Sequence, residues 1–369
     1  MKIGITGKNG FIGYHLVNTI KQVKKYKVID FKRDFFLDEK SLDRFTSSCD
    51  VIVHLAGINR HKDEDFLLKT NIDLARKISD SISRVNFKKK LIFISSTHEK
   101  SDTNYGVSKL KSREILIESS KINGFNLTSL IVPNVFGPFC KPNYNSFIAN
   151  FSNALVNNDK PKILIDDSVK LIYIQSLISV IVSEFDSSSN DEKFVKNEFK
   201  IKVSEVLKTL KNFKKTYIEN AEIPDISKQL NLNLFNTFRS YIDHKTFYPQ
   251  LYKNNIDDRG SFIEVLRSNS QGQYSFSTTK PQVVRGNHFH TRKIERFAVI
   301  SGEALIRMRK ISSNEIIEYK LSGKTPSFVD IPLWYTHSIQ NIGEEDLLTL
   351  FWINEPYKEQ DSDTFFEIV

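Results

Sequence analysis

The segment from Lys2 to Gly13, KIGITGKNGFIG, decides the fold of the first part of the chain. Lys2 to Thr6 is a short β-type run, and three glycines at regular spacing follow it. Behind Gly13, apolar residues such as Leu16 and Ile20 recur at helical spacing. Strand, glycine turn and helix in this order favour a pyrophosphate site, because glycines let the backbone come close and the helix N-terminus supplies N–H donors.

Further strands follow at the spacing of an α/β fold. Lys27 to Phe31 and Val51 to Leu55 are predicted as the second and third strands, and Leu91 to Ile94 as the fourth. Helix-period apolar residues continue as far as Phe213. We therefore predict a Rossmann-type doubly wound parallel sheet within residues 1–245.

A tyrosine and a lysine lie one helical turn apart after the fourth strand, at Tyr105 and Lys109. They follow the hydroxyl-rich run Ser95 to Thr97. A lysine ammonium at this distance would lower the pKa of the phenol, so the phenol could exchange a proton with a substrate oxygen that a nearby hydroxyl holds. Alone, the pair would more often be an ordinary surface turn of a helix.

Taken together, these segments resemble the extended short-chain dehydrogenase/reductases, which act on nucleotide sugars. The resemblance implies that Thr97 holds the substrate oxygen, Tyr105 is the acid and Lys109 modulates it. The chain departs from the family at Ile131, where an arginine is usual. The segments that carry the resemblance are Gly7, Gly10, Gly13, His54 to Gly57, Asn71, Ser95 to Thr97, Tyr105, Lys109 and Pro133 to Gly137.

The same resemblance implies two sets of binding residues. The cofactor-binding candidates are Gly7, Lys8, Asn9, Gly10, Phe11, Ile12, Gly13, Phe31, Lys32, Arg33, Leu55, Ala56, Gly57, Asn71, Tyr105, Lys109 and Pro133. The substrate-binding candidates are Ser96, Asn134, Lys141, Asn143, Tyr144 and Asn145.

Cofactor choice is decided at the end of the second strand, where an acid would bind the ribose 2′-hydroxyl and repel a 2′-phosphate. In the family register this position is Phe31, with Lys32 and Arg33 directly after it. The sequence therefore favours NADPH. NADH is the alternative, because Asp30 would reach the position with a slip of one residue.

From about Tyr248 the chain changes to short alternating segments separated by turns, such as Ala304 to Met308 and Leu347 to Ile353. This spacing predicts an all-β domain over residues 246–369. Three imidazoles and one carboxylate in it suit Zn²⁺ or a similar divalent ion. These metal-ligand candidates are His288, His290, Glu295 and His337.

The spacing of these four residues resembles the cupins, whose fold is a double-stranded β-helix. The patterns H-x-H-x4-E-x6-G and P-x4-H-x3-N are met from His288 to Gly302 and from Pro332 to Asn341. A metal-free cupin with structural histidines is the alternative. Asp258 to Glu264 and Arg285 to His288 also resemble the dTDP-sugar 3,5-epimerases, in which this histidine is a base beside a ketone. His288 is thus either ligand or base, since a metal-bound nitrogen cannot accept a proton.

The order of the two parts, with Cys140 to Ser146 between their sites, resembles one family over essentially the full length. This is the CapF-type bifunctional C3-epimerase/C4-reductases of capsule and O-antigen biosynthesis. The resemblance implies UDP-2-acetamido-2,6-dideoxy-β-L-arabino-hexos-4-ulose as substrate and UDP-2-acetamido-2,6-dideoxy-L-talose as product, on the route to UDP-N-acetyl-L-fucosamine. It also implies a homodimer.

Composition narrows the remaining function classes. The net charge is +9, but basic residues are interspersed with acids, which favours a solvated surface or attraction to a diphosphate over a nucleic-acid partner. Cys49 and Cys140 are too few for a disulfide framework. There is no apolar run of the roughly 18 residues that a membrane span needs, and the N-terminus enters a strand at once, so we expect a cytoplasmic protein.

Three other functions remain open from the sequence. The first is a sugar reductase whose cupin only binds or dimerises. The second is a redox-sensing binding protein that has lost catalysis, against which the intact Thr97, Tyr105 and Lys109 set argues. The third is a nucleic-acid binder, which only the charge suggests.

Overall fold

The computed structural model describes residues 1–188, 190–258 and 260–369, with only the backbone of residues 260–262. Arg259, part of the epimerase-like Asp258 to Glu264 motif, lies outside the described residues. Two compact units divide the chain. The N-terminal unit comprises Met1–Asn150 and Ile163–Val206, and the C-terminal unit comprises Phe151–Lys162 and Leu207–Val369. The boundary at 245/246 stays a prediction about activity, because compactness does not say which segment carries which function.

The N-terminal unit is built on a six-stranded parallel sheet with the order β2-β1-β3-β4-β5-β8. A second sheet has the order β6-β7-β9. Strands β3 and β4 are buried at every residue, as expected for parallel strands that are covered on both faces. The strands are β1 (Lys2–Thr6), β2 (Lys27–Ile29), β3 (Val51–His54), β4 (Lys90–Ser96), β5 (Asn126–Val132), β6 (Asn134–Phe136), β7 (Ser168–Tyr173), β8 (Asp191–Phe194) and β9 (Phe199–Lys202).

Helices flank the parallel sheet, with α1 packed against α6 and α3 against α4. The Thr103 side chain caps the start of α4 by accepting the Gly106 N–H, which places Tyr105 in its first turn. Among the described residues, no helix is both long and apolar enough to cross a bilayer. The helices of the chain are α1 (Phe11–Lys21), α2 (Glu39–Ser48), α3 (Glu64–Arg84), α4 (Asn104–Asn123), α5 (Phe147–Val156), α6 (Ile174–Ser183), α7 (Val203–Phe213), α8 (Gln229–Arg239) and α9 (His244–Phe247).

The strand order reverses direction beside β1. The chain passes from β1 to β2 on one side, and then crosses to β3 on the other side. In open α/β sheets, ligands bind in the crevice at the carboxyl ends of the strands where this reversal occurs. The glycine-rich turn after β1 and the His54 to Gly57 segment after β3 both lie there. The predicted Rossmann-type sheet is therefore confirmed.

Two five-stranded antiparallel sheets and one two-stranded sheet form the β part of the C-terminal unit. Their orders are β10-β18-β15-β20-β13, β17-β16-β19-β14-β21 and β11-β12. The apolar side chains of the two five-stranded sheets share one core. The predicted all-β region is confirmed. Its strands are β10 (Gln250–Leu251), β11 (Asn254–Asp257), β12 (Gly260–Ile263), β13 (Gln273–Thr279), β14 (Val284–Phe289), β15 (Glu295–Ser301), β16 (Glu303–Lys310), β17 (Ile316–Ser322), β18 (Ser327–Ile331), β19 (Tyr335–Asn341), β20 (Leu347–Ile353) and β21 (Phe365–Phe366).

Gly13 tests whether the turn after β1 is as tightly packed as its spacing suggests. Alanine forms helices better than glycine by about 1 kcal/mol. Gly13→Ala would therefore stabilise α1 if the added methyl group met no neighbouring atom. However, a Cβ at this position would lie 2.3 Å from the Gly7 carbonyl oxygen and 2.7 Å from Lys8 Cα. We expect a destabilisation of roughly 1–3 kcal/mol, seen as a lower melting temperature.

Gly10→Ala is the matched control, because its Cβ would meet nothing closer than 3.3 Å. Its effect should stay at about 1 kcal/mol or less. A Gly13→Ala protein that melts at or above the wild-type temperature would contradict the packing argument.

Candidate nucleotide crevice and metal centre

The floor of the crevice is held by Thr6, the last residue of β1. Its hydroxyl oxygen accepts the N–H groups of Leu55 and Ala56 at 3.2 and 3.1 Å. The Thr6 hydroxyl also lies 2.8 Å from His54 Nδ1, and burial lowers the pKa of His54 to about 3. The imidazole is therefore neutral, and its Nδ1 accepts the hydroxyl proton. Sequence reasoning did not single out Thr6.

The predicted phosphate cradle is open. Gly10 precedes the first turn of α1, and no side chain caps the helix there. The N–H groups of a first helical turn have no partner within the helix, and the helix dipole favours negative charge at the same place. These residues fit the pyrophosphate of a dinucleotide.

The end of β2 differs from the prediction. The Phe31 side chain is 4 % exposed and packs against Phe36 and Phe45, so it lies in the core and cannot face a ribose. Asp30 is exposed and ion-paired with Lys8 of the glycine turn, and this contact lowers the pKa of Asp30. Phe31, the residue predicted to select the cofactor, is therefore buried, whereas Asp30 lies beside the glycine turn.

Lys32 and Arg33 follow as exposed side chains at the same strand end. Asn71, a cofactor-binding candidate, makes structural hydrogen bonds. Its side chain bonds the N–H and the carbonyl of Ile58 at 2.7 and 2.9 Å, and it donates to Ser108 Oγ at 2.9 Å. Asn71 thus joins the loop after β3 to α4, and its amide is occupied by protein.

Tyr105 and Lys109 lie on the face of α4 that meets the carboxyl end of β4. Burial raises the pKa of Tyr105 to about 12, and a hydrogen bond with Ser96 works against this. Lys109 Nζ donates to the Ile94 carbonyl at 2.8 Å, and burial lowers its pKa to about 8. At neutral pH the phenol therefore keeps its proton and can act as an acid.

The hydroxyl beside Tyr105 is that of Ser96. Ser96 is buried, and its Oγ accepts the His98 N–H at 3.2 Å. Thr97, the residue predicted to hold the substrate oxygen, is exposed at the first position of the turn after β4. Of these two hydroxyl residues, Ser96 is thus the buried partner of Tyr105, and Thr97 is exposed.

An ion pair between the buried Glu99 and the partly buried Arg113 supports this turn. Ser95 Oγ donates to Glu99 at 2.6 Å, and Arg113 of α4 binds the same carboxylate at 3.0 Å. The turn after β4 is therefore tied to the helix that carries Tyr105. Neither Glu99 nor Arg113 was predicted, because a pairing over this sequence distance has no local signal.

The substrate-binding candidates gather only in part. The Tyr144 hydroxyl accepts the Asn59 N–H at 3.1 Å and lies close enough to Tyr105 to raise its pKa. Asn134 is exposed, with its amide 3.4 Å from the Lys170 carbonyl. Lys141, Asn143 and Asn145 are exposed on the Tyr144 loop, and Pro133 is buried.

The metal-type residues are brought together by a β-bulge in β14. Gly286 pairs with Ser338 and His288 with His337, so Asn287 is extra and has a φ of 57°. Gly286 has a φ of 97°, and a Cβ there would lie 2.7 Å from the His337 carbonyl oxygen. The bulge sets His288 opposite His337, with ring centroids 4.6 Å apart.

The ligand atoms of His288, His290, Glu295 and His337 all lie within 4.8 Å of one another. Glu295 Oε2 is 2.9 Å from His337 Nε2 and 3.2 Å from His290 Nε2. His288 is half-buried, and the other three residues are buried. The structure thus brings all four predicted residues into one cluster.

The donor set fits a divalent ion. His290 Nδ1 faces the Asp363 carbonyl at 2.6 Å and His337 Nδ1 faces the Tyr335 carbonyl at 3.3 Å. Carbonyls only accept, so both Nδ1 atoms carry hydrogen, and in the neutral rings each Nε2 atom offers its lone pair to a metal. Among the described residues, these two Nε2 atoms and Glu295 Oε2 are buried without a satisfactory hydrogen-bond partner.

The charges in the cluster agree with this fit. Burial works to raise the pKa of Glu295, but the two imidazoles that face its Oε2 outweigh it and hold the pKa well below its usual range. Burial and the neighbouring His337 lower the pKa of His288 to about 4. Burial works to lower the pKa of His290, but its contact with Glu295 raises it. A divalent ion bound by the carboxylate and neutral imidazoles would therefore take the place of a proton between these two side chains.

Comparison with known proteins assigns the chain to a family. Residues 3–182 match the NAD dependent epimerase/dehydratase family, and residues 255–365 match the polysaccharide biosynthesis C-terminal domain. The UDP-2-acetamido-2,6-beta-L-arabino-hexul-4-ose reductase of Pseudomonas aeruginosa is 30% identical over 99% of this chain and 98% of its own. The crystal structure of the capsular polysaccharide assembling protein CapF from Staphylococcus aureus matches over 100% of both chains, with 32% identity and a TM-score of 0.63. The chain belongs to the CapF family.

The predicted family is thereby confirmed. A more distant structure, RMD from Pseudomonas aeruginosa complexed with NADPH, is 18% identical and covers 58% of this chain and 84% of its own, with a TM-score of 0.53. It shares the fold of the N-terminal part, and the likeness supports no more than that.

Glu295→Gln tests the metal centre. The substitution removes the anionic ligand at nearly constant volume, so the protein should lose bound divalent ion on dialysis, whereas the wild type keeps about one per chain. The melting temperature of the wild type should fall on treatment with a chelator, and the variant should melt near the chelated value. Metal analysis and thermal melts measure both effects.

Glu344→Gln is the control, because it removes an exposed carboxylate from the same unit. It should keep its metal. Full metal content in Glu295→Gln would show that this cluster is not the metal centre.

Proposed function

We propose that this protein is an NADPH-dependent UDP-4-keto-sugar reductase that also epimerises its substrate at C3. Reduction takes place in the domain of residues 1–245, and epimerisation in a cupin domain of residues 246–369. The substrate is UDP-2-acetamido-2,6-dideoxy-β-L-arabino-hexos-4-ulose and the product UDP-2-acetamido-2,6-dideoxy-L-talose, on the route to UDP-N-acetyl-L-fucosamine. The observation that carries the reductase is the protonated Tyr105 beside Ser96 at the carboxyl end of the sheet.

In the reductase, Tyr105 gives its proton to the C4 oxygen of the sugar while the Ser96 and Thr97 hydroxyls hold that oxygen in place. NADPH, when bound, supplies the hydride. Lys109 lies one helical turn after Tyr105, and its positive charge would stabilise negative charge on the phenol after proton transfer. The relative from Pseudomonas aeruginosa, named a reductase of such a 4-keto sugar, supports this assignment.

The preference for NADPH follows from the charges at the end of β2. Asp30 would repel a 2′-phosphate, but Lys8 is ion-paired with it and Lys32 also lowers its pKa. The negative charge of Asp30 is thus partly offset by two lysines. Arg33 is exposed beside it and can meet the phosphate with two N–H donors.

Epimerisation uses the acidity that the C4 carbonyl gives to the C3 proton. We assign the base to His288, because it is the half-buried member of the cluster and its imidazole is neutral. His290, Glu295 and His337 then hold the ion, and three protein ligands with one open position are usual in catalytic zinc sites. Zn²⁺ or a similar ion, when bound, would supply positive charge beside the carbonyl oxygen.

A reductase whose β domain only dimerises is the second candidate. The edge strand β13 presents Tyr274 and Phe276 with 55% and 75% of their surface exposed. Exposed aromatic side chains on an edge strand favour pairing with another chain. We propose a homodimer in either case, which the mass of the protein in solution tests.

Tyr105→Phe removes the acid and little else. NADPH oxidation with the 4-keto sugar should fall by roughly 10²-fold or more, while NADPH still binds. Initial rates and a fluorescence titration of NADPH measure the two effects. Tyr26→Phe, at the amino end of β2, should behave as wild type; a fully active Tyr105→Phe enzyme would refute the assignment.

Arg33→Ala separates the two cofactors. Loss of a guanidinium that binds the 2′-phosphate should raise the KM for NADPH by roughly 10-fold or more and leave the KM for NADH nearly unchanged. Steady-state rates with both cofactors provide the measurement. Arg76→Ala removes an exposed arginine of α3 as the control; equal changes for both cofactors would show that Arg33 does not read the phosphate.

Solvent deuterium exchange isolates the epimerase. Without NADPH, the Tyr105→Phe enzyme should incorporate deuterium at C3 of the 4-keto sugar. Only the removal and return of the C3 proton exchanges it with solvent. His288→Asn should abolish the exchange and keep the metal if His288 is the base. No exchange above the enzyme-free rate would leave the reductase with a dimerising β domain as the better description.

A further inference from the structure

One buried carboxylate organises the loop between the second histidine and the glutamate of the cluster. Asp363 is 6 % exposed. Its two oxygens accept the backbone N–H groups of Thr291, Arg292 and Lys293 at 2.9 to 3.2 Å, and the Thr291 hydroxyl at 2.6 Å. Hydrogen bonds to an ionised acceptor are stronger than neutral ones. The loop therefore wraps around a single side chain from near the C-terminus.

The backbone of the same residue contacts a ligand-type side chain directly. The Asp363 carbonyl lies 2.6 Å from His290 Nδ1. Because this oxygen can only accept, it holds the proton on Nδ1 and turns Nε2 toward Glu295. Asp363 has a φ of 46°, a left-handed conformation that allows its carbonyl and its carboxylate to serve neighbouring groups at once.

The rest of the C-terminal segment lies along the strand that bears the histidines. In the register of β14 and β21, His288 pairs with Phe366 and Phe289 with Phe365. The Glu367 N–H also donates to the carbonyl of Asn287, the extra residue of the bulge, at 3.0 Å. The segment thus contacts both the bulge and the loop that position the cluster.

We propose that Asp363 is a positioning residue of the metal centre, which sets the affinity of the cluster for a divalent ion. Its carboxylate fixes the path of the chain between His290 and Glu295, and its carbonyl fixes the tautomer and the ring orientation of His290. The proposal rests on the proposed metal site, and it adds a residue that touches no ion itself. Outer partners of this type commonly change metal affinity by about 10- to 100-fold.

The test is the dissociation constant of Zn²⁺ from the full-length protein, measured after removal of metal by competition with a chelating dye. In Asp363→Asn one acceptor oxygen becomes an NH₂ group and the charge is lost, so Zn²⁺ should bind about 10- to 100-fold more weakly. The absorption spectrum of the Co²⁺-substituted protein should change as well, because the orientation of His290 is less defined. A residue that only stabilises the fold would lower the melting temperature of the metal-free protein and leave both readouts unchanged.

Asp361→Asn is the matched control. It removes a more exposed carboxylate from the same segment, one that pairs with the Arg292 side chain at 2.9 Å and not with the loop amides. Its Zn²⁺ affinity should stay within about 2-fold of wild type, the scale of a weak surface ion pair. Thr291→Val is a milder variant, which deletes only the 2.6 Å hydroxyl contact and should weaken Zn²⁺ binding on the order of 5-fold.

The outcomes separate this inference from the metal site on which it rests. Wild-type affinity in Asp363→Asn overturns the role of Asp363 and leaves the metal centre intact. If Asp363→Asn does not fold, wild-type affinity in Thr291→Val has the same meaning. A wild-type protein that binds no Zn²⁺ overturns the metal centre and this inference together.

Discussion

The extra residue in β14 is the constraint on which the proposed chemistry of the β domain depends. In a regular antiparallel ladder, the residue after Gly286 would face His337. The bulge at Asn287 puts His288 there instead and turns its ring to the same face as that of its partner. Only glycine fits at Gly286, because the backbone comes so close to the His337 carbonyl. The pattern from Arg285 to His288 thus encodes the backbone bulge as well as the histidine side chain that the bulge positions.

The two sites differ in how burial and neighbouring side chains set the protonation of their ionisable groups. Glu295 stays ionised although it is buried, since imidazoles surround it, and an ion would neutralise it further. In the N-terminal unit, burial raises the pKa of Tyr105 to about 12 and lowers that of Lys109 to about 8, so that at neutral pH the phenol is neutral and the ammonium is charged. Both arrangements suit the chemistry of one carbonyl group, which activates its neighbouring carbon and then accepts a hydride.

Much of the fold could be predicted from the sequence, because local spacing reports local structure. The first and twentieth strands begin and end where the pattern of apolar residues places them, and the four ligand-type residues meet because cupin spacing encodes strand pairing. The rest depended on contacts between distant residues. Phe31 is buried by aromatic residues of the following segments, and the contact of Ser96 with Tyr105 joins the turn after β4 to α4. Asp363 contacts His290 from 73 residues away along the chain, and neither composition nor periodicity predicts a contact over that distance.

The most direct test of the account is the position of hydrogen isotopes in the product. The wild-type enzyme, the UDP-4-keto sugar and unlabelled NADPH are combined in deuterium oxide, and the product is examined by NMR. If one chain epimerises and then reduces the same ketone, the product is the L-talo sugar with deuterium at C3 from solvent and protium at C4 from NADPH. A reduced sugar that keeps protium and its original configuration at C3 would contradict the account and leave a reductase alone.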